Sequence, residues 1–328
     1  GKWDAALQVF RNGVKRNPSS PQLLAGLGHV AARNGHLAEA EQALRQLARL
    51  RPRDAAAQLN LGGVLAATGR HRDAEAAFRA ACRLEPKNVA AQYNLARCLS
   101  DQGATKDAED GYRAVLELAP HSFEASFNLG VLLFRRGQYE EAEQISQRLL
   151  QANPGRWEPR LQLGRVWQAQ GRSSAARAAF REVLERFPGH PQAQLSLSLS
   201  LLGDRDIAPA EELIVAAESS NKLRREELTA ARAMLLAAKG QTAEAITRLS
   251  GVLDSGVGAV SHYAQVADWL AELRRRDEAV EVLKAGAARF SGAMKLRAML
   301  LINQRHICDW TDAAAASAVI DYLREAPS

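Results

Sequence analysis

Aromatic residues make up only 5% of this chain, cysteine occurs three times in 328 residues, and no stretch approaches 18 uninterrupted apolar residues. Each scarcity removes a class of protein. So few aromatics, set in an alanine- and arginine-rich texture, point to helices rather than a β-sandwich or barrel. Cys82, Cys98 and Cys308 cannot all pair with one another, and none has the CxxC spacing of a zinc or redox motif, so a disulfide framework is excluded. Small thiols on helices are expected as core filler. Without a long apolar run there is no transmembrane helix to insert in a membrane, and Gly1 to Phe10 lack the layout of a signal peptide. Charge of one sign is missing too. The formal charge of +6 arises from 43 basic and 37 acidic residues, and no window holds five or six like charges. That describes a mixed solvated surface and not a nucleic-acid track.

What the chain has is self-similarity. The motif LGHVAARNGHLAEAEQAL returns as LGGVLAATGRHRDAEAAF, LARCLSDQGATKDAEDGY, LGVLLFRRGQYEEAEQIS and LGRVWQAQGRSSAARAAF. Small residues fall at Gly28, Gly62, Ala96, Gly130, Gly164 and Ser198, a constant step of 34. Alanine keeps the same step from Ala40 through Ala74, Ala108, Ala142 and Ala176 to Ala210, and proline from Pro18 through Pro52, Pro86, Pro120 and Pro154 to Pro188. Two helices cross closely only where side chains are small, and proline cannot continue a helix, so each unit reads as helix, turn, helix, stop. Between the helices stand Gly35, Gly69, Gly103, Gly137 and Gly171, where a residue tolerant of positive φ is needed.

This pattern resembles the tetratricopeptide repeat. The resemblance implies an all-α, right-handed solenoid of antiparallel helix pairs, about nine repeats long. Full repeats are predicted to begin at Pro21, Ala55, Val89, Phe123, Trp157, Pro191, Glu226 and Val260, with a last first helix near Met294. The expected organisation is the second helix of a truncated repeat over 1–20, six regular repeats over 21–224, two degenerate ones over 225–293, and a final helix pair and junction over 294–328. An orphan half-repeat leaves an uncapped interface, so the native protein is expected to extend further toward its N-terminus. Register weakens after residue 200: Arg205 stands where glycine is expected, Lys222 where proline is expected, and one residue is inserted before Glu226. A hinge or change of pitch is predicted between Gly203 and Leu228, and a soft joint over Leu253 to Ser261.

Enzyme signatures are missing: there is no GxGxxG after a strand, no GKS/T loop, no HExxH and no GxSxG. All seven histidines are isolated, and His36, His71, His121 and His190 fall in turns, where exposure is the default. No catalytic residue, metal ligand or cofactor is assigned. A stacked solenoid offers instead a long concave surface lined by its first helices. Two positions before each small first-helix residue stand Asn60, Asn94 and Asn128, in NLG or NLA contexts, amides that can hold an extended peptide backbone without reading its side chains. The alternative is that these asparagines only fix repeat geometry. Tyr93 and Phe127 lie one position earlier, and Arg97 and Arg165 follow the asparagine position by three, a mix that suits a peptide with an apolar anchor and an acidic group. The competing role for the aromatics is inter-repeat packing.

At the far end stands ICDWTD, with Cys308, Asp309 and Trp310 at its centre and Asp312 able to N-cap a following helix. This motif after a final first helix, on a chain with an NLG ladder, resembles the junction between repeats and catalytic region in O-linked N-acetylglucosamine transferases. The resemblance implies that Asn60, Asn94 and Asn128 line the groove and hold protein substrates, and that a catalytic domain follows Ser328. The ladder is lost outside three repeats, a departure from that family. Two other readings stand beside it: a non-enzymatic scaffold or assembly and export adaptor, and the arm of another fused enzyme such as a sulfotransferase or hydroxylase. Trp3, Trp157 and a helix over Ala313 to Arg324 are candidate faces for a homodimer, and the cytoplasm is the expected compartment.

Overall fold

The computed structural model describes residues 2–256, 258–290 and 293–306. Every regular element among the described residues is a helix, and the chain divides into two compact units, Gly1–Gln170 and Gly171–Ser328. The first holds α1 (Lys2–Arg16), α2 (Pro21–Arg33), α3 (Leu37–Leu50), α4 (Ala55–Ala67), α5 (His71–Leu84), α6 (Val89–Asp101), α7 (Thr105–Leu118), α8 (Phe123–Arg135), α9 (Tyr139–Ala152) and α10 (Glu158–Ala169). The second holds α11 (Ser173–Arg186), α12 (Pro191–Gly203), α13 (Ile207–Ser219), α14 (Arg225–Ala238), α15 (Thr242–Asp254), α16 (Val260–Glu272), α17 (Arg276–Arg289) and α18 (Met294–His306). The predicted repeat starts are helix starts, with two shifts of one residue: Trp157 occupies the N-cap of α10, and α14 begins at Arg225 rather than Glu226.

In the regular repeats the helix ends have local causes that recur with the period. Four first helices, α2, α4, α6 and α8, are capped by side chains: Ser20, Asp54, Asn88 and Ser122 accept from the backbone N–H three residues on, at Leu23, Ala57, Ala91 and Ala125. They end in a left-handed residue, with Gly35, Gly69, Gly103 and Gly137 at φ 78°, 76°, 80° and 77°. The following N–H groups turn back onto the helix, as in Gly69 to Ala66 O and Arg70 to Leu65 O, both 3.0 Å. The second helices α3, α5, α7, α9 and α11 stop at the residue before proline. Arg51, Glu85, Ala119, Asn153 and Phe187 sit at φ between −131° and −138° with ψ of 67–82°, outside the helical region that a following proline forbids.

The core lies between the helices of each pair, where a small residue faces a large one. A Cβ added to Gly28 would stand 2.6 Å from Leu44, and one added to Gly62 would stand 2.6 Å from Phe78, so neither position tolerates a side chain without repacking. Leu44, Phe78 and Tyr112 are buried in the first unit, and Phe180, Ile214, Leu249 and Leu283 hold the same position in the second. Burial of each such side chain stabilises the fold by about 1.5–3 kcal/mol before entropy is counted.

Neighbouring repeats are also tied at the surface. Glu75 accepts from Gln102 at 2.8 Å, Glu109 pairs with Arg136, Arg177 with Asp204, and Glu211 with Lys239 at 2.6 Å. In each, a second-helix residue meets the residue that closes the next first helix. The sign is reversed at Arg177 and Asp204. A parallel set joins Arg11 to Glu39 at 2.7 Å and Arg113 to Glu141 at 2.8 Å, which gives α1 the role of a second helix.

Candidate functional site

Successive first helices of the first unit touch one another, so α4, α6 and α8 bring the three predicted asparagines onto one row of helices. Their amides are in different states. Asn60 is exposed and makes no side-chain hydrogen bond among the described residues. Asn94 is half-buried and donates through Nδ2 to Ala90 O of its own helix at 2.9 Å. Asn128 donates through Nδ2 to the Tyr93 hydroxyl at 2.9 Å, a bond that ties α8 to α6. A primary amide has two donors and a carbonyl with two lone pairs, and the carbonyl oxygens of all three asparagines are without a protein donor among the described residues.

The flanking residues gather around Tyr93. Its ring lies 6.1 Å from that of buried Tyr112 at a tilt of 56°, and the Arg97 guanidinium sits 6.0 Å above its centroid. Burial, with Tyr93 beside it, pushes the Tyr112 phenol well above the ordinary tyrosine range, so it stays neutral. Phe127 is half-buried and stacks on Phe123, 5.9 Å away with planes 7° apart, while Arg156 lies 3.5 Å over Phe123. Arg165 is half-buried on α10. The structure therefore brings Asn128, Tyr93 and Arg97 together, and places Phe127 with Phe123 and Arg156.

On either side of these three repeats the equivalent position is covered or buried. At the equivalent place in α2 stands Gly26, and the Phe10 ring of α1 occupies the space its Cβ would take. The equivalent on α10 is Gln162, only 3% exposed, its Nε2 without a hydrogen-bond partner. In α12 it is Ser196, also buried.

Other expected features come out differently. Trp157 is half-buried rather than exposed, whereas Trp3 is 50% exposed, with Arg33 over its ring. His190 is not a bare turn residue: its Nδ1 accepts from Ala193 N at 3.2 Å and caps α12. His71 opens α5 and is half-buried. Cys98 is buried and donates to His71 O at 3.2 Å, Cys82 is half-buried, and burial pushes both thiols upward. Cys308, Asp309, Trp310 and the helix expected over Ala313 to Arg324 lie outside the described residues. Among the described residues, no three His, Cys, Asp or Glu side chains are grouped to hold a metal ion, and no helix is long and apolar enough to cross a membrane.

Comparison with known proteins places this architecture. Models of the tetratricopeptide repeat match residues 1–48, 26–88, 64–121 and 93–156 in one form and 133–199 in another. No curated protein matches the chain. Among solved structures, a tetratricopeptide repeat protein from Parabacteroides merdae is 18% identical, covers 87% of this chain and 98% of its own, and has a TM-score of 0.51. PilW, a type IV pilus biogenesis factor, is 19% identical over 62% of this chain and 94% of its own, with a TM-score of 0.52. PilF of Pseudomonas aeruginosa is 20% identical over 65% and 97%, with a TM-score of 0.50. At these identities the likeness is one of fold. The family models together span residues 1–199, more than half the chain, and the helix pairs, glycine turns and proline stops are those of the repeat: this chain belongs to the tetratricopeptide-repeat family.

Proposed function

We propose that the first unit binds an extended segment of a partner protein along its first-helix face, through Asn60, Asn94 and Asn128. Tyr93, Phe127, Arg97 and Arg165 are its flanking contacts. The observation that carries this reading is the unused hydrogen-bonding capacity of the row. Among the described residues Asn60 is exposed and makes no side-chain hydrogen bond, and Asn94 and Asn128 have a donor engaged and no donor on the carbonyl oxygen. An open amide oxygen can accept from a peptide N–H, and exposed Arg97 stands ready for a carboxylate. The finer form of the proposal is that the chain is the substrate-recruiting arm of an O-GlcNAc transferase-like glycosyltransferase in the cytoplasm. Its support is the NLG and NLA contexts of the asparagines together with ICDWTD at residues 307–312.

The test is the Asn60→Ala, Asn94→Ala, Asn128→Ala triple variant. We expect its melting temperature to stay within a few degrees of the parent, and its affinity for cross-linked protein substrates to fall about tenfold or more, since each hydrogen bond is worth about 1 kcal/mol. Unchanged affinity overturns the peptide-holding role. For the finer form, loss of N-acetylglucosamine from serine and threonine of bound proteins when the gene is deleted supports it, and an unchanged pattern overturns it.

One observation favours a second reading, a scaffold in which the asparagines set repeat geometry: the Asn128 to Tyr93 bond between α8 and α6. Under that reading Asn128→Ala lowers the melting temperature and leaves binding untouched.

A further inference from the structure

In α3, α5, α7 and α11 a small residue precedes the large core residue: Ala43 and Leu44, Ala77 and Phe78, Gly111 and Tyr112, Ala179 and Phe180. In α9 the order is reversed, with Ile145 before Ser146. The structure follows the reversal. Ser146 is buried and returns its hydroxyl to Ala142 O at 2.8 Å, and a Cβ on Gly130 would meet only Ile145, at 3.3 Å, with no aromatic opposite. One position along a helix is a rotation of about 100°, so the bulk of α9 moves to Ile145, which lines the space between α7, α8 and α9.

There a groove of about 500 Å³ lies between α7, α8 and α9. Its floor is apolar, built from Leu116, Leu129, Ile145 and Leu149, and its volume matches one or two large side chains. The charges at its edge are unequal. Arg113 is already bonded to Glu109 and Glu141, at 3.0 and 2.8 Å. Arg148 is exposed and has no ion partner among the described residues, and it stands where α7 carries Ala114. An apolar floor beside one uncompensated guanidinium calls for a ligand with an apolar anchor next to a carboxylate.

We propose that this groove, formed by second helices α7 and α9 over one side of α8 and lined by none of the three asparagines of the row, is a docking site for a partner-protein segment that inserts a large apolar side chain flanked by Asp or Glu. Arg148 pairs with the carboxylate, and the floor of Leu129 and Ile145 takes the anchor.

The experiment selects a phage-displayed library of random nonapeptides on the whole chain, with parallel selection on Arg148→Glu. Arg148 is exposed, so that variant keeps the parent melting curve. Enriched peptides are expected to place Asp or Glu beside Phe, Leu, Ile or Met. A synthetic consensus peptide is expected to lose about tenfold in affinity for Arg148→Glu and for Ser126→Trp, which fills the groove. It keeps full affinity for the triple asparagine-to-alanine variant, which separates this site from the first-helix face. No enrichment, a consensus without an acidic residue, or affinity indifferent to Arg148→Glu overturns the proposal. Self-association of the chain that Arg148→Glu abolishes would give the groove to a second copy and overturn it too.

Discussion

The turns inside the helix pairs of the two units trace one path with different residues. In the first unit Gly35, Gly69, Gly103 and Gly137 occupy the left-handed position, and in the second Gly171 and Gly240 do so, but Arg205 and Arg274 stand there at φ 61°. Their hydrogen bonds match: Arg205 N to Leu202 O and Asp206 N to Leu201 O repeat the bonds of Gly69 and Arg70, as do Arg274 N to Ala271 O and Arg275 N to Leu270 O. A left-handed side-chain residue costs about 1–2 kcal/mol, so at these turns the path is imposed by the packed helices on either side. Glycine removes strain from a turn that the core already dictates. The loss of register after residue 200 is therefore a loss of glycine and proline together with one inserted residue, since α13 and α15 start 35 residues apart, while the helix-turn-helix alternation continues through α12 to α18.

The strongest way to break the comparison is through the core that the two units share. Phe78→Ala in the first unit should cost about 3–5 kcal/mol, and Ile214→Ala in the second about 2–5 kcal/mol, read from urea unfolding by circular dichroism. A cost under 1 kcal/mol at either would show that turns, not core, define that unit. A gain of about 1 kcal/mol is expected from Ile145→Ala combined with Ser146→Phe, which restores the small-then-large order of α5 and packs Gly130 as Gly62 is packed.

The turns themselves can be exchanged. Gly69→Arg is expected to cost about 1 kcal/mol, and because nothing lies within 4 Å of the Cβ it would gain, that cost is backbone strain alone. Arg205→Gly should return a similar or smaller amount, since part of the relief is offset by the entropy of glycine. Equal melting temperatures for Arg205→Gly and the parent would mean that the arginine side chain makes up the difference. The smallest effect is electrostatic. Arg177→Asp or Asp204→Arg alone should lose about 0.5 kcal/mol by setting like charges together, and the double exchange should recover most of it, a coupling read from the double-mutant cycle.

Much of this was legible in the sequence. The glycine, alanine and proline series located α2, α4, α6, α8 and α12 to the residue, because those residue types act on the backbone directly and leave an exact period, and helical amphipathicity carried the reading on to α16 and α18. Two further series of the same step went unread: the caps Ser20, Asp54, Asn88 and Ser122, and Glu75, Glu109, Arg177 and Glu211, whose partners close the next first helix. The first could be found by searching for oxygen-bearing residues at constant spacing. The second needs the partners, and its one reversal of sign hides it from a search by residue type. The candidate site was legible in its residues and not in their states. That Asn128 would bond Tyr93, that Phe10 would cover Gly26, and that Gln162 would be buried depend on side-chain geometry between repeats, which no periodicity encodes. The groove at Arg148 was invisible for the same reason, since Ile145 and Ser146 look like ordinary helix residues until their neighbours are known.

The reversed pair of Arg177 and Asp204 also bears on how such a chain can change over generations. Repeat arrays grow and shrink when recombination duplicates or removes whole units, and the constant 34-residue step from Gly28 to Ser198 makes each of those units a clean cassette. Where all neighbours meet through the same pair of charges, any cassette can follow any other. Here a deletion that set the helix of Glu109 before the turn of Asp204 would bring two carboxylates face to face, and a duplication that set Arg177 before Arg136 would oppose two guanidinium groups. The reversal thus gives the array a direction and an address, and it makes the order of these repeats part of what the sequence must preserve.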